Sequence, residues 1–373
     1  MVKRQRLING MLILTFANII SKVLGFLKNI LFSYYYGASV MTDAFILAEA
    51  VPLALLGIFT SAADSAVIPQ YNRILQSRSR KDADENFSNI LNIILSGAIF
   101  ISFLILGFPY IFIGIFAPGF AGDTKAYAEQ FLRYFAFIGV FHIVYCFTCA
   151  YSAAYNKITV RVILSLMPNI IILGALFLYH DENMLGITAA YLGTHFLSAI
   201  IPYYHISKTG YQHKIILNFQ SAEFKRFIEN FLPIVGVALL TETQLFIDKF
   251  LASGIQGGIS YLNYASRLTG IFDAVLVSGI GLIILPVLSR YNNNQNIERM
   301  TEFSCKILKY LFISLSVISC LFIVCSTEIT EIIYGRGQFE QEAVMRVGQI
   351  LSVYGIDIVL IPLQTIMIKV LHS

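Results

Sequence analysis

Ten long apolar runs leave this chain of 373 residues little choice of surroundings. They cover residues 12–36, 43–74, 87–117, 126–155, 159–178, 185–206, 224–251, 259–288, 301–325 and 343–371. About 20 apolar residues suffice for a helix to cross a hydrocarbon core of about 30 Å. Within that core every backbone polar group must find its partner inside the protein, which for single segments of this kind means helix. Hydrophobic residues make up 57% of the chain and charged ones 13%, against about 25% charged in a soluble domain. The expected fold class is therefore an all-α polytopic membrane protein of about ten transmembrane helices. Several runs exceed the core thickness and should tilt, kink or project. Pro52 and Pro69 make the second run the one expected to bend.

Basic residues gather in alternate connections. Lys3, Arg4 and Arg6 precede the first run, and Arg73, Arg78, Arg80 and Lys81 follow or close the second. Lys157 and Arg161 follow the fourth, Lys208, Lys214, Lys225 and Arg226 surround the sixth-to-seventh connection, and Arg290, Arg299 and Lys306 follow the eighth. The connections between them, 37–42, 180–183 and 254–260, are neutral or acidic. By the positive-inside rule both termini are cytoplasmic and the number of spans is even. The first run is too long, and too charged at Lys22 and Lys28, for a cleaved secretory signal, and is expected to stay as the first span. With no Trp in the chain, tyrosines such as Tyr34, Tyr35, Tyr36, Tyr203 and Tyr204 must mark the membrane interfaces. The net charge of +4 is dispersed over these connections, which gives no patch for nucleic acid.

Lys22 and Lys28 lie well inside the first run. A lysine at the centre of a spanning helix costs about 3 kcal/mol on insertion scales, so it should face a cavity or a partner. On a helix Asn18, Lys22, Gly25 and Asn29 form one stripe, with Ser21 and Lys28 beside it. Two readings stand: lysines paired inside a bundle or snorkelling to its edge, and a cationic site for an anionic substrate. Charge also enters the seventh and eighth runs, as Glu242, Asp248, Lys249 and Arg267. An Asp248–Arg267 ion pair is the structural alternative there. Residues 28–71 and 249–287 share a loose pattern of a span, a Gly-containing turn and a span closing on an apolar-Pro pair, at Ile68-Pro69 and Leu285-Pro286. An even number of spans separates the copies, as in two-lobed transporters whose substrate site lies between lobes. Lobes of residues 1–210, with six spans, and 211–373, with four, follow from that pattern. Cations in both copies suit a pyrophosphate, an arginine fork and lysine point charges sharing its oxygens.

No other chemistry stands out. Cys146 and Cys149 have C-x-x-C spacing, with His142 one turn earlier, but they lie in an apolar helical run, where packing is the commoner role; no metal or cofactor is expected. No nucleophile elbow, phosphate-cradling loop or H-E-x-x-H motif is present, and no loop gathers paired carboxylates, so the chain does not read as an enzyme.

Several segments carry a family resemblance. They are residues 21–31 (SKVLGFLKNIL), Gly37 with Thr42-Asp43-Ala44-Phe45, residues 116–120 (FAPGF), Pro168-Asn169, residues 262–268 (LNYASRL), Leu285-Pro286 and residues 334–339 (YGRGQF). In order and spacing the chain resembles the MurJ/MviN-type lipid II flippases of the multidrug/oligosaccharidyl-lipid/polysaccharide exporter superfamily. The resemblance implies a two-lobed exporter of the bacterial cytoplasmic (inner) membrane. Its substrate would be an undecaprenyl-pyrophosphate-linked peptidoglycan precursor, moved from the inner to the outer leaflet by alternating access with the polyprenyl tail left in membrane lipid. It also implies that Lys22, Lys28 and Arg267 bind the pyrophosphate and that Asp43 acts near the outer end of the cavity as a gating ion-pair residue.

The chain departs from the family pattern in three ways. Two family arginines are lysines here, which keeps charge and loses the bidentate fork. The family's P-N-L-x-R-R run reads Pro52-Leu53-Ala54-Leu55-Leu56-Gly57, without its arginine, while Glu49 and Asp64 add acid to the same helix. The second lobe has four helices where the family has more, which implies an incomplete lobe, either a fragment or a chain whose partner supplies the missing helices. A flippase for another polyprenyl-linked oligosaccharide and a non-transporting scaffold are the alternatives these departures leave open.

Overall fold

A computed structural model describes residues 2–155, 159–179, 184–270, 272 and 297–371. The expected span at 259–288 lies mostly outside them, as do Lys157, the 180–183 connection, Leu285, Pro286 and Arg290. Every regular element among the described residues is helical. In chain order these are α1 (Val2–Tyr36), α2 (Val40–Ala62), a π turn (Ala63–Val67), α3 (Ile68–Ser77), α4 (Arg80–Gly107), α5 (Pro109–Phe116), α6 (Gly122–Phe135) and α7 (Ile138–Ala154). Then come α8 (Thr159–Leu178), α9 (Leu185–Lys208), α10 (Ala222–Ala252) and helical residues 258–270, labelled α11. The last four are α12 (Ile297–Val324), α13 (Ser326–Tyr334), α14 (Gln341–Tyr354) and α15 (Asp357–Leu371).

Eight helical runs among the described residues are long and apolar enough to cross a membrane, and residues Val162–Leu178 of α8 add a shorter apolar helix. Within the Val40–Ser77 run the helix changes type once. Its α-helix continues through Pro52 and is interrupted only by the π turn, which ends two residues before Pro69. A proline lacks the N–H that would bond four residues back, and its ring crowds the carbonyl there, that of Ser65. A wider π turn at that point moves the carbonyl aside, so Pro69 is absorbed without breaking the span.

The chain divides into two compact units, Met1–Ala38 with Ser260–Ser373, and Ser39–Ile259. In the second, α2 is the central helix, packed by α6, α7 and α10, and α9 packs on α7 and α8. Phe45 on α2 is 1% exposed and meets Phe131, Phe135 and Tyr191 edge-on, with centroids 5.2–5.5 Å apart. The α2–α7 crossing is close because Gly139 faces it: a Cβ there would lie 2.7 Å from the carbonyl oxygen of Pro52. In the first unit α12 packs against α14 and α15, α13 against α14, and α1 against α13. Ser319 on α12 donates to the carbonyl of Gly355 at 2.7 Å, in the break between α14 and α15.

Candidate functional site

The cations expected to hold a pyrophosphate sit in the first unit. Lys22 and Lys28 lie on α1, about 9 Å apart along its axis at 1.5 Å per residue; Lys22 is exposed and Lys28 half-buried. Arg267 lies on α11 in the same unit and is exposed. Asp43 belongs to the second unit. It is 1% exposed, in the first turn of α2, behind the cap that Ser39 makes with the Thr42 N–H at 3.2 Å. The unpaired N–H groups of a helix start favour a carboxylate at this position.

What fixes α1 relative to α11 is a junction built by two of the resembling segments. The 34–37 end of α1 receives the loop 335–339: Gln338 N–H donates to the carbonyl of Tyr34 at 2.9 Å. Gly37 and Gly337 both have positive φ, 58° and 65°, and a Cβ on either would run into the opposing backbone, Gln338 or Tyr34. Tyr264 of α11 closes the junction by donating from its phenol to the carbonyl of Gly37 at 2.9 Å. Its ring packs with those of Tyr334 and Phe339 at 5.1 and 5.3 Å. Tyr334 is deeply buried, and burial pushes its phenol above the ordinary tyrosine range. Arg267 follows Tyr264 by three residues, one helical turn, so the contact that anchors α11 also sets where Arg267 projects.

The seventh span brings acid to the second unit. Glu242 on α10 faces Gly57 on α2, where a Cβ would come 3.1 Å from Glu242 Oε1. Gly57 closes the run that lacks the family arginine, so a carboxylate takes the space beside a position where a long side chain would otherwise stand. Cys146 Sγ lies 3.7 Å from His142 Nε2. Cys149, buried, packs instead in a small cluster with Val160 and Leu164.

A polar network at the basic ends of α3, α4 and α7 was not singled out from sequence. Asp84, 8% exposed, accepts from Tyr71 Oη at 2.7 Å and Tyr151 Oη at 2.9 Å. The Tyr71 and Tyr155 hydroxyls are 2.6 Å apart. Arg80 lies over the Tyr155 ring at 5.2 Å and donates to the carbonyl of Thr209 at 2.7 Å. A cavity of about 240 Å³ opens beside it, lined by Arg80, Lys81, Asp84, Glu85 and Lys214 among others. Two readable signals were there: Tyr151 and Tyr155 one turn apart, and the acidic run of residues 82–85 opening an otherwise apolar helix.

The family model "Lipid II flippase MurJ" matches residues 32–373, which include Asp43 and Arg267 and begin after Lys22 and Lys28. A "Probable lipid II flippase MurJ" of Aquifex aeolicus is 27% identical over 372 residues, covering 98% of this chain and 72% of that protein. One of the same description from Rhizobium tropici is 24% identical over 351 residues, 91% of this chain and 65% of that protein. The chain thus spans 65–72% of the length of these two relatives. Among solved structures, "Lipid II flippase MurJ, inward closed conformation" superposes with a TM-score of 0.84 at 22% identity, over 97% of this chain and 76% of that one. An inward-facing multidrug resistance MATE family transporter of the MOP superfamily reaches 0.67 at 14% identity, over 94% and 80%. The helical runs, the ordered motifs and the family match over residues 32–373 agree, and this chain belongs to the lipid II flippase MurJ family.

Proposed function

We propose that the chain moves lipid II, the undecaprenyl-pyrophosphate-linked peptidoglycan precursor, from the inner to the outer leaflet of the bacterial cytoplasmic membrane. The observation that carries this reading is the family match together with three cations in one structural unit, Lys22 and Lys28 on α1 and Arg267 on α11. In the proposed mechanism the three bind the pyrophosphate, and Asp43 acts as the gating carboxylate at the start of α2. No bond is made or broken: transport follows from binding the headgroup differently in two conformations. The polyprenyl tail stays in lipid throughout.

The lobes of this reading are residues 1–210 and 211–373. Both termini are cytoplasmic by the charge of the connections. The test is complementation: the chain is expressed in bacteria depleted of their own lipid II flippase, and lipid II on the outer leaflet is measured against membrane abundance. Restored exposure supports the proposal; normal abundance without exposure, with and without the helices that longer relatives add, overturns it.

A further inference from the structure

The connection between α9 and α10 leaves and re-enters the membrane region at Lys208 and Ala222, and it does not run free in solvent. It dips along α4 and returns. Tyr211 Oη lies 2.8 Å from Ser88 Oγ, and the Lys214 N–H donates to that same oxygen at 3.3 Å. One turn further along α4, Asn92 Nδ2 donates to the carbonyls of Lys214 at 2.7 Å and Ile216 at 3.1 Å. The connection then climbs back, with Asn218 N–H donating to Asn89 Oδ1 at 2.6 Å and Asn89 Nδ2 to Asn218 O at 3.0 Å. Gln70 Nε2 and Arg78 hold the start of α10 through the carbonyl and the carboxylate of Glu223. The apex is Ile215, where the Ile216 N–H turns back to the carbonyl of Lys214 at 3.0 Å.

The direction of the dip is set by α4. From Arg80 to Asn92 that helix carries its charged and amide residues, interleaved with the buried Ala83, Phe87, Ile90 and Leu91, and from Ile93 to Gly107 its polar side chains are Ser96 and Ser102. Asn92 is about 18 Å along the axis from Arg80 and is the last amide before the apolar stretch that starts at Ile93. The apex therefore points toward the membrane, and what it presents there is apolar: Ile215 is 89% exposed, Leu217 52% and Phe219 59%. Irregular backbone at that depth must have its polar groups satisfied by protein, and Asn89 and Asn92 do this on the inner edge. Exposed cations flank the dip, Lys81, Lys208, Lys225 and Arg226.

We propose that residues 211–219 form a wedge that inserts Ile215, Leu217 and Phe219 into the leaflet on the basic side of the membrane, with the flanking cations on anionic phospholipid headgroups. The occupant of this apolar ridge is lipid. Apolar side chains set among Lys and Arg at the headgroup level are the pattern of interfacial anchoring. The inference is independent of which substrate the chain carries.

The chain has no Trp, so one introduced residue reports alone. The 373-residue chain carrying Ile215→Trp or, as an aqueous reference, Gln212→Trp is reconstituted into vesicles of phosphatidylethanolamine and phosphatidylglycerol. Ile215→Trp is expected to emit to the blue of Gln212→Trp, to be quenched several-fold more by phospholipid brominated near the headgroup end of its chains, and to resist aqueous iodide. Replacing phosphatidylglycerol by phosphatidylcholine should weaken the bromolipid quenching. Iodide quenching equal to that of Gln212→Trp would place the ridge in water and overturn the proposal. Shielding from iodide without bromolipid quenching would mean that protein, such as a second copy, covers it, and would equally overturn it. Ile215 is so exposed that its replacement disturbs no packing, and Phe219→Trp provides a second reporter on the same face.

Discussion

The phenol of Tyr264 donates to the carbonyl of Gly37 at 2.9 Å, across 227 residues of chain. This bond ties the helix that carries Lys22 and Lys28 to the helix that carries Arg267. Tyr264→Phe should lower stability by about 1 kcal/mol, the usual net worth of such a bond, and a thermal unfolding scan in detergent reads the difference. Tyr334 sits in the same aromatic group, yet its buried hydroxyl has no hydrogen-bond partner among the described residues. Tyr334→Phe is expected to be neutral or slightly stabilising in the same scan.

At the four proposed site positions, transport and abundance should separate. Lys22→Ala, Lys28→Ala, Asp43→Ala and Arg267→Ala are each expected to abolish lipid II exposure. Because Lys22 and Arg267 are exposed, their substitutions in particular should leave the protein at normal abundance. Lys22→Arg should retain transport, since it keeps the charge and adds the planar fork. Export that survives all four alanines would sink the assignment.

Gly139 leaves no room at the α2–α7 crossing. Gly139→Val should destabilise by about 1–3 kcal/mol through overpacking against Pro52 and Leu56. The measurement is membrane abundance with the unfolding midpoint, both falling together, in contrast to the site variants. Gly174, which has nothing within 4 Å of its Cβ position, should accept Ala without loss.

Asp84 shares its charge between two phenols. Tyr71→Phe and Tyr151→Phe should each cost about 1.5–3 kcal/mol, as expected of hydrogen bonds to a charged group. Because they serve one carboxylate, the double variant should deviate from the sum of the singles. Additive costs in a double-mutant cycle would mean that Asp84 does not couple them.

His213 gives the connection between α9 and α10 a pH dependence. Its Nδ1 lies 3.0 Å from Tyr211 Oη, its ring faces that of Tyr203, and burial lowers its pKa from the ordinary 6.5. The folded protein thus binds this proton less readily than the unfolded chain. Stability contributed by neutral His213 is full above about pH 7 and declines as pH falls from the unfolded value toward the lower folded one. Unfolding midpoints measured over that window should fall less for His213→Gln than for the parent chain.

How much of this was legible in the sequence depended on the kind of signal. The spans were legible because a hydrocarbon core selects apolar runs by length alone, and α9, α10 and α12 begin and end within a few residues of the expected limits, whereas α4 starts seven residues before the run at 87–117 and stops ten before its end. Pro69 was expected to disturb its span, but composition could not show that a π turn, and not a break, would precede it. Gly37, Tyr264 and the 334–339 segment could be recognised as family motifs while their meeting remained invisible, since nothing local tells a tyrosine that its acceptor lies 227 residues away. Asp84 was missed for a related reason: an acidic residue at the start of a helix reads as an ordinary first-turn charge until Tyr71 and Tyr151 are seen to converge on it.

The π turn at Ala63–Val67 holds one residue more than an α turn would. One residue beyond the 3.6 of an α turn offsets the faces of the helix on the two sides of the π turn by about 100° from those of an unbroken helix. On the far side stand Gln70, bonded to the start of α10, and Tyr71, bonded to Asp84. The second span therefore turns one set of residues to its neighbours along the buried body of α2 and a differently phased set at its basic end, which is how Gln70 and Tyr71 come to face α10 and Asp84.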